Sequence, residues 1–166
     1  MYRNALLPLT QEVALKRNHP SGSYNGYRKI LVPLDGTEEA ELVLVIAPEI
    51  LAPGGEGILL RVIQPDKEEH VAQVIAGGYL GRVLTWLSGV SSGWRYEVIA
   101  SGSVANGIAD FAAQNQVDLI AMYTHDRKGL ARLIKGNIAE KVQRLSAAEV
   151  RVLRPHDLVP GEGPTQ

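Results

Sequence analysis

The chain predicts an α/β domain in which a five-stranded parallel sheet is covered by helices on both faces, and three observations carry that prediction. Short apolar runs alternate along the chain with stretches of helical periodicity. Several of the runs are continuously apolar, as in strands buried on both faces. The length of 166 residues, 45% of them hydrophobic and 21% charged, suits one globular core. A domain of this size buries roughly 68–70% of its unfolded surface, so it needs neither disulfides nor a metal to hold it together.

The segment Asn18 to Gly26 is rich in turn-forming residues and reads as a linker, so the domain starts near Tyr27. Ile30-Leu31-Val32-Pro33-Leu34 is the first strand. Thr37 is the expected cap of the following helix, with Glu38 and Glu39 favourably placed against the positive end of its dipole. Apolar residues at 40, 43, 44, 47, 50 and 51 keep helical spacing, and Pro48 should kink that helix or end its regular part. After a turn at Pro53-Gly54-Gly55 comes a second strand, Ile58 to Ile63, and then a helix from about Glu68 to Leu87. Gly77, Gly78 and Gly81 each cost that helix about 0.8–1.0 kcal/mol relative to alanine, so a break near residue 77 is expected. Arg95 to Ala100 is the third strand, Val104 to Gln114 a helix with Ile108, Phe111 and Ala112 inward, and Leu119 to Tyr123 the fourth strand. A helix from Ile138 to Ser146 and a strand from Val150 to Leu153 complete the alternation.

Ligands in such sheets bind beyond the carboxyl ends of strands where the strand order reverses. The loops after the first and fourth strands, containing Asp35-Gly36-Thr37 and Thr124 through Asn137, are therefore the ones expected to carry function.

Composition excludes several classes. No cysteine is present, which removes disulfides, thiolate catalysis and cysteine-based metal centres. The 17 basic and 18 acidic residues leave a net charge of -1, without the positive field expected of a nucleic-acid binder. The apolar stretch Leu42 to Ala47 is far too short for a membrane span, and the N-terminus lacks the pattern of a secretory signal, so a cytoplasmic protein with no membrane partner is expected. His19, His70, His125 and His156 lie in separate segments without metal-ligand spacing, and no metal site is expected. Ser101, Ser103 and Ser146 lack a nucleophile-elbow sequence, Ser103 reads as a helix cap, and no catalytic residue is assigned. Trp86 and Trp94 lie on apolar faces and read as core.

Ile30-Leu31-Val32-Pro33-Leu34-Asp35-Gly36-Thr37, Gly102-Ser103-Val104-Ala105, Val117 to Met122, and Thr124 through Val142 together resemble, in order and spacing, the universal stress protein family. The resemblance covers about residues 27 to 155 and implies a Rossmann-like fold of the adenine nucleotide alpha hydrolase type. It implies ATP or another adenine nucleotide as ligand, and a stress-associated regulatory or binding role. In ATP-binding members a Gly-x2-Gly-x9-Gly-Ser/Thr signature wraps the phosphates. Its positions fall here on Tyr123, Asp126, Gly136 and Asn137, of which only Gly136 matches. Glycine lets backbone amides approach phosphate, whereas Asp126 brings a carboxylate to that place. The resemblance therefore implies weak or altered nucleotide binding, the alternative being a nucleotide-controlled switch with slow hydrolysis.

Asn137 suits a helix cap, with Glu140 at capping-box spacing. Arg127, Lys128, Arg132 and Lys135 either serve an anion site at that helix start or form a solvated face. By resemblance Asp35 contacts the nucleoside end of the ligand and Val62 lies near the base; read as plain structure, Asp35 caps a turn and Val62 is core. Pro33, Met122 and Ile138 complete the implied binding set.

Residues 1–26 form an arm and linker, 27–155 the domain and 156–166 a flexible tail in this reading. Tyr2 to Thr10 echoes Tyr27 to Asp35, either as a relic of a tandem arrangement, as an extra arm or by chance. The last strand, with polar and apolar residues alternating from Glu149 to Leu153, is expected at a sheet edge, and the resemblance implies a homodimer formed through it.

Overall fold

The computed structural model describes residues 26–123 and 138–153. Five parallel strands, β1 (Tyr27–Pro33), β2 (Leu51–Ile63), β3 (Trp94–Ala100), β4 (Leu119–Tyr123) and β5 (Glu149–Leu153), form one sheet in the order β3-β2-β1-β4-β5. The fold class expected from the sequence is the one observed.

Alternation along the central strands sends side chains to two cores. Ile30, Val32, Leu59, Leu119 and Ala121 face one side, where they meet Val43, Leu44, Ala47, Leu80, Val83 and Leu87. Leu31, Ile58, Leu60, Ile120 and Met122 face the other, against Ile108, Ala112, Ala139 and Val142. Trp86 and Trp94 pack against the first core, in accord with their reading as core residues, and Trp94 Nε1 donates to Ser91 Oγ at 3.1 Å.

The first helical region is broken. Helix α1 (Glu38–Glu41) passes into a 3-10 turn (Leu42–Val45), and α2 (Ala47–Ile50) follows. Pro48 is the physical cause: without an N–H it cannot continue the hydrogen-bond ladder and its ring collides with the preceding turn, so the chain tightens ahead of it and restarts with Pro48 in a first turn. The helical pattern had extended to Leu51, which instead opens β2.

Strand β2 begins earlier than expected because the Pro53-Gly54-Gly55 turn is absorbed as a bulge. Tyr27 pairs with Leu51 but Lys29 with Glu56, and Gly54 takes φ +74 within the extra residues.

Helix α3 (Glu69–Leu87) runs without the break expected near residue 77. Its three interior glycines cost about 3 kcal/mol together. Leu80, Val83 and Leu87 are buried, each contributing about 1.5–3 kcal/mol, so packing outweighs propensity. Helix α4 (Val104–Gln114) carries Ile108 and Ala112 into the second core with Phe111 partly buried beside them, and Ser103 caps it through the Asn106 N–H at 3.3 Å. Helix α5 (Ile138–Leu145) buries Ala139 and Val142. Among the described residues, no helix is long and apolar enough to cross a membrane. The arm, the tail and the echo of Tyr27 to Asp35 in Tyr2 to Thr10 lie outside the described residues.

Candidate functional site

Strand order reverses at β1, which has β2 on one side and β4 on the other. A cavity of about 540 Å³ opens at the carboxyl ends of these strands, within the size range of small-molecule sites. Pro33 and Asp35 reach it from the end of β1, Val62 from β2, Met122 and Tyr123 from β4, and Ile138 from the start of α5. The structure thus brings together six residues of the expected binding set. Asp126, Gly136 and Asn137, with the cations Arg127, Lys128, Arg132 and Lys135, lie outside the described residues.

Asp35 sits just past β1 because the chain must turn there into α1. Its Oδ1 accepts from the Thr37 N–H at 2.9 Å and from the Thr37 hydroxyl at 2.6 Å, while Thr37 Oγ1 accepts from the Ala40 N–H at 3.2 Å. The capping role is therefore real. It occupies one carboxylate oxygen, and the other takes part in no hydrogen bond among the described residues. A capping Asp35 can still offer an acceptor to the cavity.

Val62 packs against the second core and also lines the cavity, so its two readings coexist. Met122 is buried and presents an apolar wall. Tyr123, at the rim, has its phenol pushed above the ordinary range, first by loss of solvent and then by the charge of Glu39.

Three polar residues of the lining were not anticipated: Arg61, Gln64 and Asp66. Arg61 is half-buried and its Nη1 donates to the Leu34 carbonyl at 3.3 Å. A signal for it was present, since a lone charge inside Ile58 to Ile63 interrupts a run otherwise suited to full burial. Nearby, the Tyr79 hydroxyl donates to Glu41 Oε1 at 2.9 Å; burial and that carboxylate hold the phenol far above its usual range. Among the described residues, no group of three or more His, Asp or Glu side chains could hold a metal ion.

Residues 95–154 match the model of the universal stress protein family. A curated universal stress protein, MJ0531 of Methanocaldococcus jannaschii, is 24% identical over 155 residues, spanning 78% of this chain and 84% of the relative. These matches make the chain similar to the universal stress protein family. The solved structure of hypothetical protein MJ0577 superposes with a TM-score of 0.66 at 25% identity, covering 77% of this chain and 96% of that one. A universal stress protein from Archaeoglobus fulgidus, solved in complex with dAMP, has a TM-score of 0.58 at 18% identity, covering 76% and 97% of the two chains. The segment matched by the family model contains α4, β4, α5 and β5 and all of β3 but Trp94, while the Asp35 and Val62 side of the cavity precedes it.

Proposed function

We propose that this chain is a universal stress protein, a stress-associated regulatory protein that binds an adenine nucleotide in the cavity at the carboxyl ends of β1, β2 and β4. The observation that carries the reading is the convergence of Pro33, Asp35, Val62, Met122, Tyr123 and Ile138, drawn from four separate elements, on one cavity. Val62 and Met122 offer apolar surface for a purine, and the second Asp35 oxygen offers an acceptor for ribose hydroxyls. The dAMP complex of a relative with this fold supports the ligand class. The degenerate signature at Tyr123, Asp126 and Asn137 sets the expectation that binding is weaker than in members with the complete loop, or altered in preference.

The protein acts as a homodimer in this reading, joined through the free edge of β5, which lies last in the sheet.

Mass spectrometry of small molecules released from freshly purified protein tests the ligand class. An adenine nucleotide in the released fraction, lost in an Asp35→Ala variant that melts like the wild type, is the expected result. Isothermal titrations of the wild type with AMP, cAMP and ATP that all show no binding would overturn it.

A further inference from the structure

Three charged side chains of the cavity lining fall among the described residues: Asp35, Arg61 and Asp66. Both carboxylates are engaged by their own turns. Asp35 accepts from Thr37, and Asp66 Oδ1 accepts from the Glu68 N–H at 2.8 Å. Arg61 differs, because it forms no salt bridge within the described residues and its one hydrogen bond there is the 3.3 Å contact to the Leu34 carbonyl, long for an arginine. A guanidinium carries five N–H donors in a planar fork and stays charged at every accessible pH. Half-buried at a cavity wall with most of that fork unused, it is preorganised for an anion with two oxygens side by side.

We propose that Arg61 is the phosphate-recognising residue of this cavity, and that it selects an adenine mononucleotide over a triphosphate. The inference rests on the adenine-nucleotide reading and deepens it by naming the ligand's charge. Arg61 projects from the wall of β2, beside the end of β1 through its bond to Leu34, rather than from the loop that carries the signature. A single phosphate held close to the nucleoside satisfies this fork. A longer chain gains nothing further from Arg61, and in sequence the glycine signature that wraps longer phosphates keeps only Gly136 of its four positions. The competing role is structural: Arg61 would only tie the end of β1 to β2, its charge balanced at longer range by Asp35 and Glu41, whose charges with its own bear on Tyr79.

Calorimetric titration of the full chain with AMP, adenosine, ATP and ribose 5-phosphate, for wild type and for Arg61→Gln and Arg61→Lys, separates these possibilities. The wild type is expected to bind AMP at least tenfold more tightly than adenosine and more tightly than ATP. Arg61→Gln, which keeps an N–H donor for Leu34, should erase the advantage of AMP over adenosine while leaving adenosine binding and melting temperature unchanged; Arg61→Lys should retain part of it. Equal losses for AMP and adenosine in Arg61→Gln, or an unchanged preference for AMP, overturns the proposal and leaves Arg61 structural. A wild type that ignores adenosine and AMP but binds ribose 5-phosphate through Arg61 refutes the adenine reading and upholds the phosphate role. Failure of all these ligands to bind refutes both.

Discussion

The phenol of Tyr27, at the start of β1, donates a 2.8 Å hydrogen bond to Glu149 Oε2 at the start of β5, reaching across the intervening strand β4. Arg151 completes the group: its Nε donates to Glu149 Oε1 at 2.9 Å and its guanidinium lies 5.2 Å from the centre of the Tyr27 ring. These contacts fasten the edge strand to the centre of the sheet.

The bond from Tyr27, followed by that from Arg151, holds the Glu149 carboxyl below its ordinary range. A carboxylate more acidic in the folded than in the unfolded chain stabilises the fold at neutral pH, and that contribution is lost as pH falls through its folded value. Glu149 is half exposed, so screening limits the effect to about 0.5–1 kcal/mol. Urea unfolding of Glu149→Gln and wild type should differ by that amount at neutral pH and converge as acidification carries the Glu149 carboxyl below its lowered folded value.

Gly57 lies beneath an indole. A Cβ at this position would stand 2.3 Å from Trp94 Cδ2 and Cε3, on the paired strand β3, and the rigid ring has no flexible end to move aside. Gly57→Ala should therefore destabilise the domain by at least about 2 kcal/mol. Adding Trp94→Leu should recover part of this, giving a double variant more stable than the sum of the single changes predicts in denaturant unfolding.

The Glu149 N–H donates to the Asp118 carbonyl, toward β4. Direction alternates along a strand, so the N–H groups of Val150 and Val152 point off the free edge. Val152→Pro removes an outward donor and spares the ladder to β4. Sedimentation should give a dimer for the wild type at micromolar concentration and mainly monomer for Val152→Pro, with little loss of melting temperature. A wild type that sediments as a monomer contradicts the dimer.

By the sequence resemblance Asp126 falls on a glycine position of the phosphate signature, and two like unit charges about 4 Å apart repel by about 4 kcal/mol at an effective dielectric of 20. Replacing Asp126 with glycine, together with Tyr123→Gly and Asn137→Ser, should strengthen ATP binding at least tenfold, about 1.4 kcal/mol, in calorimetry at fixed salt and magnesium. Micromolar ATP binding by the wild type, unchanged by the replacements, would show that the loop's departures do not matter.

Features whose cause lies within one turn or one strand were legible in the sequence. Thr37 and Ser103 cap their helices as read, because a cap joins a side chain to an N–H only three residues on. The break at Pro48 follows from the same short range. The edge position of β5 and the importance of the loops after β1 and β4 were expected from the sequence, and the observed strand order agrees. Tertiary structure alone decided the rest. The glycines of α3 argued for a break that burial of Leu80, Val83 and Leu87 overrides, and no local pattern measures that burial. The turn at Pro53-Gly54-Gly55 became a bulge because pairing with β1 resumes at Lys29. Arg61 belongs to the cavity because β2 lies beside the end of β1, a neighbourhood between residues 27 apart in the chain. Side-chain periodicity says which face a residue takes, whereas the company it keeps there depends on which strands the sheet brings side by side.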